Sequence, residues 1–168
     1  MSVYFRDNLF SAGVTEILDE YQQPVGQVDL QGMFSSAIEV LGPQHELRCR
    51  GSFRFLSNKW HVMDGKEMEL GVLRSRFAFF TKKFTYETSS RGSFEILSPA
   101  FSKEYEVLDE SGKEVALFTK VNSWFSSPAF ELSNNSGDLD DYELIAVIMG
   151  MNAIQKRQQS ASAGNGAT

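Results

Sequence analysis

The sequence predicts a mainly β fold: a closed β-barrel of about twelve strands, made of three repeats of roughly 45 residues around a central C-terminal α-helix. Three observations carry that expectation: a repeat in one unbroken register, alternation of apolar and polar residues within it, and a late segment that is apolar all round.

The repeat is anchored on Asp19, Asp64 and Asp109, which stand 45 residues apart. Each follows an apolar pair: Ile17-Leu18, Val62-Met63 and Val107-Leu108. Seven residues after each Asp comes Gly26, Gly71 or Ala116, preceded by Val25, Leu70 or Val115. Val28, Leu73 and Phe118 follow two positions later, and Phe34, Phe79 and Trp124 stand fifteen after the Asp. Chance matches one such column, but not all of them without a gap. Each unit centres on a strand, a polar turn and a return strand, because Asp caps local turns, Gly takes positive φ and Pro presets φ.

The strands alternate around these turns. Phe53 and Phe55 oppose Ser52 and Arg54; Leu73, Phe77 and Phe79 oppose Arg74 and Arg76; Phe84 and Tyr86 oppose Lys83, Thr85 and Glu87. That period of two is the signature of strands with one buried face. Units of this length hold about four short strands each. A propeller needs at least about four blades, whereas closure into a barrel suits three units and removes exposed edges.

The final segment follows a different rule. From Asp138 to Arg157 only Gly150 interrupts, and Leu144 to Met151 is apolar on every side. Such a helix is buried all round. A barrel lumen accommodates it, and it falls short of the roughly 20 apolar residues a bilayer span requires. Asp138 is the expected N-cap, with acidic residues in the first turns and Lys156 and Arg157 in the last. The domain is expected over 1–157 with the helix at 139–157, and the Ser/Ala/Gly-rich tail 158–168 as disordered.

Composition bounds the function classes. At 168 residues, 42% hydrophobic and 12% aromatic, the chain is expected to form one soluble domain. Cys49 is the single cysteine, so no internal disulfide or thiolate cluster is expected, and the two histidines give no metal motif. The start lacks the pattern of a secretory signal, which points to the cytoplasm. A net charge of −6 argues against nucleic acid. Within it, residues 48–91 hold ten Lys and Arg against four Asp and Glu, a basic middle between acidic ends.

Four stretches, Tyr4 to Gly13, the Phe-Arg-Phe-Leu-Ser-Asn-Lys-Trp run at 53–60, Ser98 to Tyr105, and most specifically Asp141 to Gly150, carry a further signal. Together they resemble the tubby C-terminal-like superfamily, in its bacterial LURP-one-related, scramblase-like branch. The resemblance covers residues 3–157 and implies a twelve-stranded barrel around a central helix. It also implies relatives that bind phosphoinositides through basic residues, and no settled activity for the bacterial branch.

The strongest candidate site is the basic stretch 73–83. Arg74, Arg76, Lys82 and Lys83 are the residues expected to meet anionic phospholipid or another phosphate, each basic residue near an anionic membrane contributing about 1 kcal/mol. Arg48, Arg50 and Arg54 join them if their strand is a neighbour. The acidic run Asn134 to Asp141 is expected to cap the helix rather than bind calcium, since Leu139 stands where a calcium loop needs Gly. His61 is expected on an outer strand face, His45 in a turn, and Cys49 in the core. No nucleophile elbow, P-loop or dinucleotide fingerprint occurs. The expected function is a non-enzymatic binding module without cofactor or metal. Its partner is an anionic membrane surface, or alternatively a protein partner in stress or envelope physiology with no lipid affinity.

Overall fold

The computed structural model describes residues 2–6, 8–11, 13–30, 37–76, 81–99, 102–124 and 127–164. Its strands are β1 (Ser2–Arg6), β2 (Val14–Leu18), β3 (Pro24–Asp29), β4 (Ala37–Leu41), β5 (Leu47–Phe53), β6 (Trp60–Asp64), β7 (Glu69–Arg76), β8 (Thr81–Thr88), β9 (Ser93–Pro99), β10 (Tyr105–Leu108), β11 (Glu114–Trp124) and β12 (Ser127–Asn134), followed by α1 (Asp141–Gly164). Each strand pairs antiparallel with its neighbour in sequence, and β12 returns to β1 to close the barrel.

The anchoring aspartates make equivalent turns. Asp19 Oδ1 accepts from the amides of Tyr21 and Gln23 at 2.9 and 2.8 Å. Asp64 does so with Lys66 and Met68 at 2.8 and 2.9 Å, and Asp109 with Ser111 and Lys113 at 2.8 and 3.0 Å. In each turn the third residue after the Asp has positive φ: Gln22 at 63°, Glu67 at 62° and Gly112 at 81°. Each preceding strand carries a register shift at the apolar pair, between Ile17/Leu18, Val62/Met63 and Val107/Leu108. One carboxylate satisfying two turn amides explains why Asp stands at that column. Phe34, Phe77 and Phe79 lie outside the described residues.

Side-chain size around the wall sets where α1 sits. Gly26, Gly51 and Gly71 face inward, and a Cβ on them would meet Tyr142, the Trp60 indole and the Tyr86 ring respectively. On the opposite wall Phe5, Phe118 and Phe130 form an aromatic cluster with Phe10 and Tyr105. The helix therefore lies against β4–β7, and the aromatics fill the rest of the lumen. Trp60 is the closest join: its Nε1 donates to Ala146 O at 3.1 Å, and its ring occupies the space a Cβ on Gly150 would need. That close approach is why a helix-weakening glycine stands in the middle of α1.

The helix departs from the sequence expectation at both ends. Its cap is Asp140, not Asp138: Asp140 Oδ1 accepts from Glu143 N at 2.8 Å, and Leu139 and Leu144 flank it, both buried. That is an N3 cap with a hydrophobic staple. At the other end α1 runs through 158–164, where a disordered tail was expected. Neither Gly nor Pro falls between Arg157 and Gly164, and Ser160 and Ser162 donate back to Lys156 O and Gln158 O at 3.0 Å each. The lumen buries Glu143 to Met151 and Ile154; beyond them the helix leaves the barrel exposed. No helix among the described residues is long and apolar enough to cross a membrane.

Buried acids set the alkaline limit of this fold. Burial, reinforced by Glu143, raises the Tyr86 phenol far above its ordinary 10.0, and burial also raises Tyr105. Burial, with Asp140 adding to it, raises the Cys49 thiol above 9.0. The unfolded chain loses these protons first, so their contribution is complete below about pH 8 and declines as pH rises through the ordinary thiol and phenol values. Urea midpoints measured from about pH 7 to about pH 11 are expected to hold steady and then fall, with part of the tyrosine absorbance change appearing only on unfolding.

Candidate functional site

The up-and-down order of strands sorts the connections onto two ends. One end holds the β2–β3, β4–β5, β6–β7, β8–β9 and β10–β11 turns and the start of α1; the other holds the alternate connections and the exit of α1. The turn end carries Asp19, Glu20, Glu46, Glu67, Glu110 and Asp138, offset in part by Lys66, Arg91 and Lys113. The helix-exit end carries Arg54, Lys59, Lys103, Lys156 and Arg157, all exposed. Glu104 is the one carboxylate among the described residues of its connections and of α1 beyond Met151. The barrel is thus polarised along its axis.

The cations at the exit end are held together. Arg157 Nη1 donates to Ser57 O at 2.9 Å, and its guanidinium lies 4.5 Å from the centre of the Phe53 ring. Lys103 sits 4.7 Å above the Phe10 ring, and Lys156 Nζ donates to Phe10 O at 3.4 Å. Lys82 Nζ donates to Gln155 Oε1 at 3.0 Å and Ser102 O at 3.3 Å. Burial first, and Lys103 second, hold the Lys82 ammonium below its usual 10.5.

The four sequence candidates are divided by this geometry. Arg74 and Arg76 share the outer face of β7, opposite Thr85 and Lys83 of β8. Lys82 has the parity of Phe84 and Tyr86 and turns inward to the helix at the mouth, so it and Lys83 point to opposite faces of the wall. On the outer face Arg74 is ion-paired to Glu87, and Lys83 to Glu95 at 2.5 Å. Arg76 lines a shallow groove of about 300 Å³ together with Glu95, Asp109 and Glu110. That wall is a mixed-charge surface. β5 pairs with β4 and β6, so its arginines are one strand removed from β7. Arg48 lies 4.7 Å from the Tyr142 ring, and Arg54 bonds Glu69 at 2.8 Å.

Sequence reasoning missed two features. Phe55 lies beyond the end of β5 in an exposed turn rather than on a strand face. Glu143, read as a first-turn helix charge, is buried and takes Tyr86 OH at 2.6 Å and both Arg91 terminal nitrogens at 2.6 and 2.8 Å. His61 does hold an outward position, but it is buried, with Nδ1 2.8 Å from Glu69 Oε2. Cys49 is in the core. The acidic run before α1 is occupied with capping: Asn134 Nδ2 donates to Asp141 Oδ1 at 2.8 Å and Leu139 O at 2.9 Å. No group of three or more His, Cys, Asp or Glu positioned to hold a metal occurs among the described residues.

By architecture the chain is a closed twelve-stranded antiparallel barrel with a single C-terminal helix. It is similar to a protein from Arabidopsis thaliana solved by X-ray crystallography, with a TM-score of 0.60 over 92% of this chain and 90% of that one. At 14% identity that likeness shows a shared fold. No protein-family model matches the sequence. No curated protein matches it either.

Proposed function

We propose that the protein is a non-enzymatic binding module of the tubby C-terminal-like, LURP-one-related type. In this reading it works in the cytoplasm as a peripheral membrane protein, its helix-exit end engaging anionic phospholipid head groups. The observation that carries the reading is the axial sorting of charge. Cations gather on exposed connections at one end, while the outer wall near Arg74 and Lys83 has its charge matched by Glu87 and Glu95. An anionic surface attracts the first end and repels the acidic one, so a chain of net charge −6 still docks in one orientation. Each Lys or Arg brought to such a surface contributes about 1 kcal/mol, screened by salt within a Debye length.

The test is flotation with phosphatidylserine-containing vesicles. Reversing three exposed cations together (Lys59→Glu, Lys103→Glu, Arg157→Glu) is expected to lower partitioning by roughly 100-fold or more. Arg74→Glu with Arg76→Glu, on the outer wall, is expected to have a much smaller effect. Equal losses in both variants would return the site to the wall. Unchanged binding in the first variant would remove the electrostatic reading.

A further inference from the structure

The cationic end also carries an apolar feature that charge alone does not explain. Phe55 and Leu56, in the connection between β5 and β6, are 93% and 87% exposed. Single exposed apolar residues are ordinary on protein surfaces. Two adjacent large ones at the tip of a turn, nearly free of protein contact, are not.

The turn is built to hold them outward. Ser57 N donates to Arg54 O at 3.0 Å, and Leu56 sits at φ 57°, in the left-handed region that a bulky residue rarely adopts. Asn or Gly would take that position without strain. Lys59 N donates to Ser57 Oγ at 3.0 Å, and Arg157 on the emerging helix fixes Ser57 O at 2.9 Å. The tip is therefore braced from its own loop and from α1, and its side chains do not fold back onto the barrel. Lys59 and Arg157 flank the pair with positive charge, while Arg54 is ion-paired to Glu69. An apolar tip ringed by Lys and Arg matches the boundary between head groups and acyl chains, where both kinds of group are favoured.

We infer that the Phe55–Leu56 turn inserts into the acyl boundary of an anionic bilayer, with Lys59 and Arg157 at head-group level and the acidic end turned away. This rests on the membrane reading above and deepens it: contact with the bilayer is insertion, not charge alone. It follows that part of the binding survives high salt, and that Phe55→Ala with Leu56→Ala weakens binding by about tenfold or more while leaving the fold intact.

The experiment uses an environment-sensitive fluorophore on Phe55→Cys, with Glu20→Cys at the acidic end as the reference. Cys49 does not compete for the label, because it is buried and its thiol is pushed up by burial. Both labelled proteins are mixed with phosphatidylserine/phosphatidylcholine vesicles at low and high salt, and co-sedimentation is measured in parallel. Expected is a blue-shifted, brighter signal at position 55 and an aqueous signal at position 20. Co-sedimentation with no change at position 55 would overturn insertion while leaving surface binding in place. Absence of co-sedimentation at either salt would overturn both.

Discussion

Replacing Ile148 by Asp is expected to abolish cooperative folding. Ile148 is 1% exposed in the part of α1 that lies within the barrel. A carboxylate there has no charge partner among Leu144, Met149 and Met151, which are buried with it. A carboxyl buried without partners costs several kcal/mol even when it takes up a proton to become neutral, and the lost isoleucine packing adds to that. Against a typical total stability of about 5–15 kcal/mol, the barrel is left without a filled lumen. Gln159→Ala, on the exposed part of the same helix, is expected to be silent. Thermal and urea unfolding followed by circular dichroism reads both. A cooperative, native-like Ile148→Asp protein would contradict a helix-filled barrel.

The second large effect is expected at Glu143. Its carboxylate takes three hydrogen bonds from Tyr86 and Arg91, and Arg91 also donates to Asp138 O at 2.8 Å and Leu70 O at 3.1 Å. This cluster ties the start of α1 to β7, β8 and the β8–β9 turn. Glu143→Ala leaves the Tyr86 hydroxyl without its acceptor and the guanidinium without its counter-charge, which costs about 3 kcal/mol or more. Arg91→Ala costs at least as much, because the carboxylate it strands is buried while Arg91 itself is partly exposed (2% against 25% side-chain exposure), and Tyr86 is then its remaining side-chain donor. The two groups act as one unit, so the double variant is expected to fall well short of the summed single losses. Urea midpoints of the four proteins decide it; strict additivity would mean that the pair is not coupled.

How much of this was legible in the sequence follows from what each signal depends on. The hairpin turns were legible because one Asp and one positive-φ residue suffice to build them, and both are local. The buried helix was legible from its composition alone, since a segment apolar on all sides has nowhere else to go. Its cap was misplaced by two residues because Asp138 and Asp140 are chemically equivalent, and only the chain path shows which one meets the Glu143 amide. Glu143 and Arg91 are 52 residues apart, and no local pattern marks a long-range ion pair.

The site was less legible for a geometric reason. Charge read along the chain gave a basic middle, 48–91, between acidic ends. Strands that alternate direction send successive connections to opposite ends of the barrel, so any window spanning several strands averages both. The sorting that matters is axial, and it emerges only when every second connection is taken together. Lys82 and Lys83 show the same limit on a smaller scale: adjacent in sequence, they face the helix and the solvent. Phe55 continued the alternation of β5 on paper, but the Arg54–Ser57 turn ends that strand at Phe53.

The most direct measurement is flotation of the wild-type protein with neutral and with phosphatidylserine-containing vesicles, each at low and high salt. Association with the anionic vesicles alone, reduced but not abolished by salt, is the predicted result. Failure to float with anionic vesicles at low salt, or equal flotation with neutral ones, would contradict a cationic, membrane-docking end.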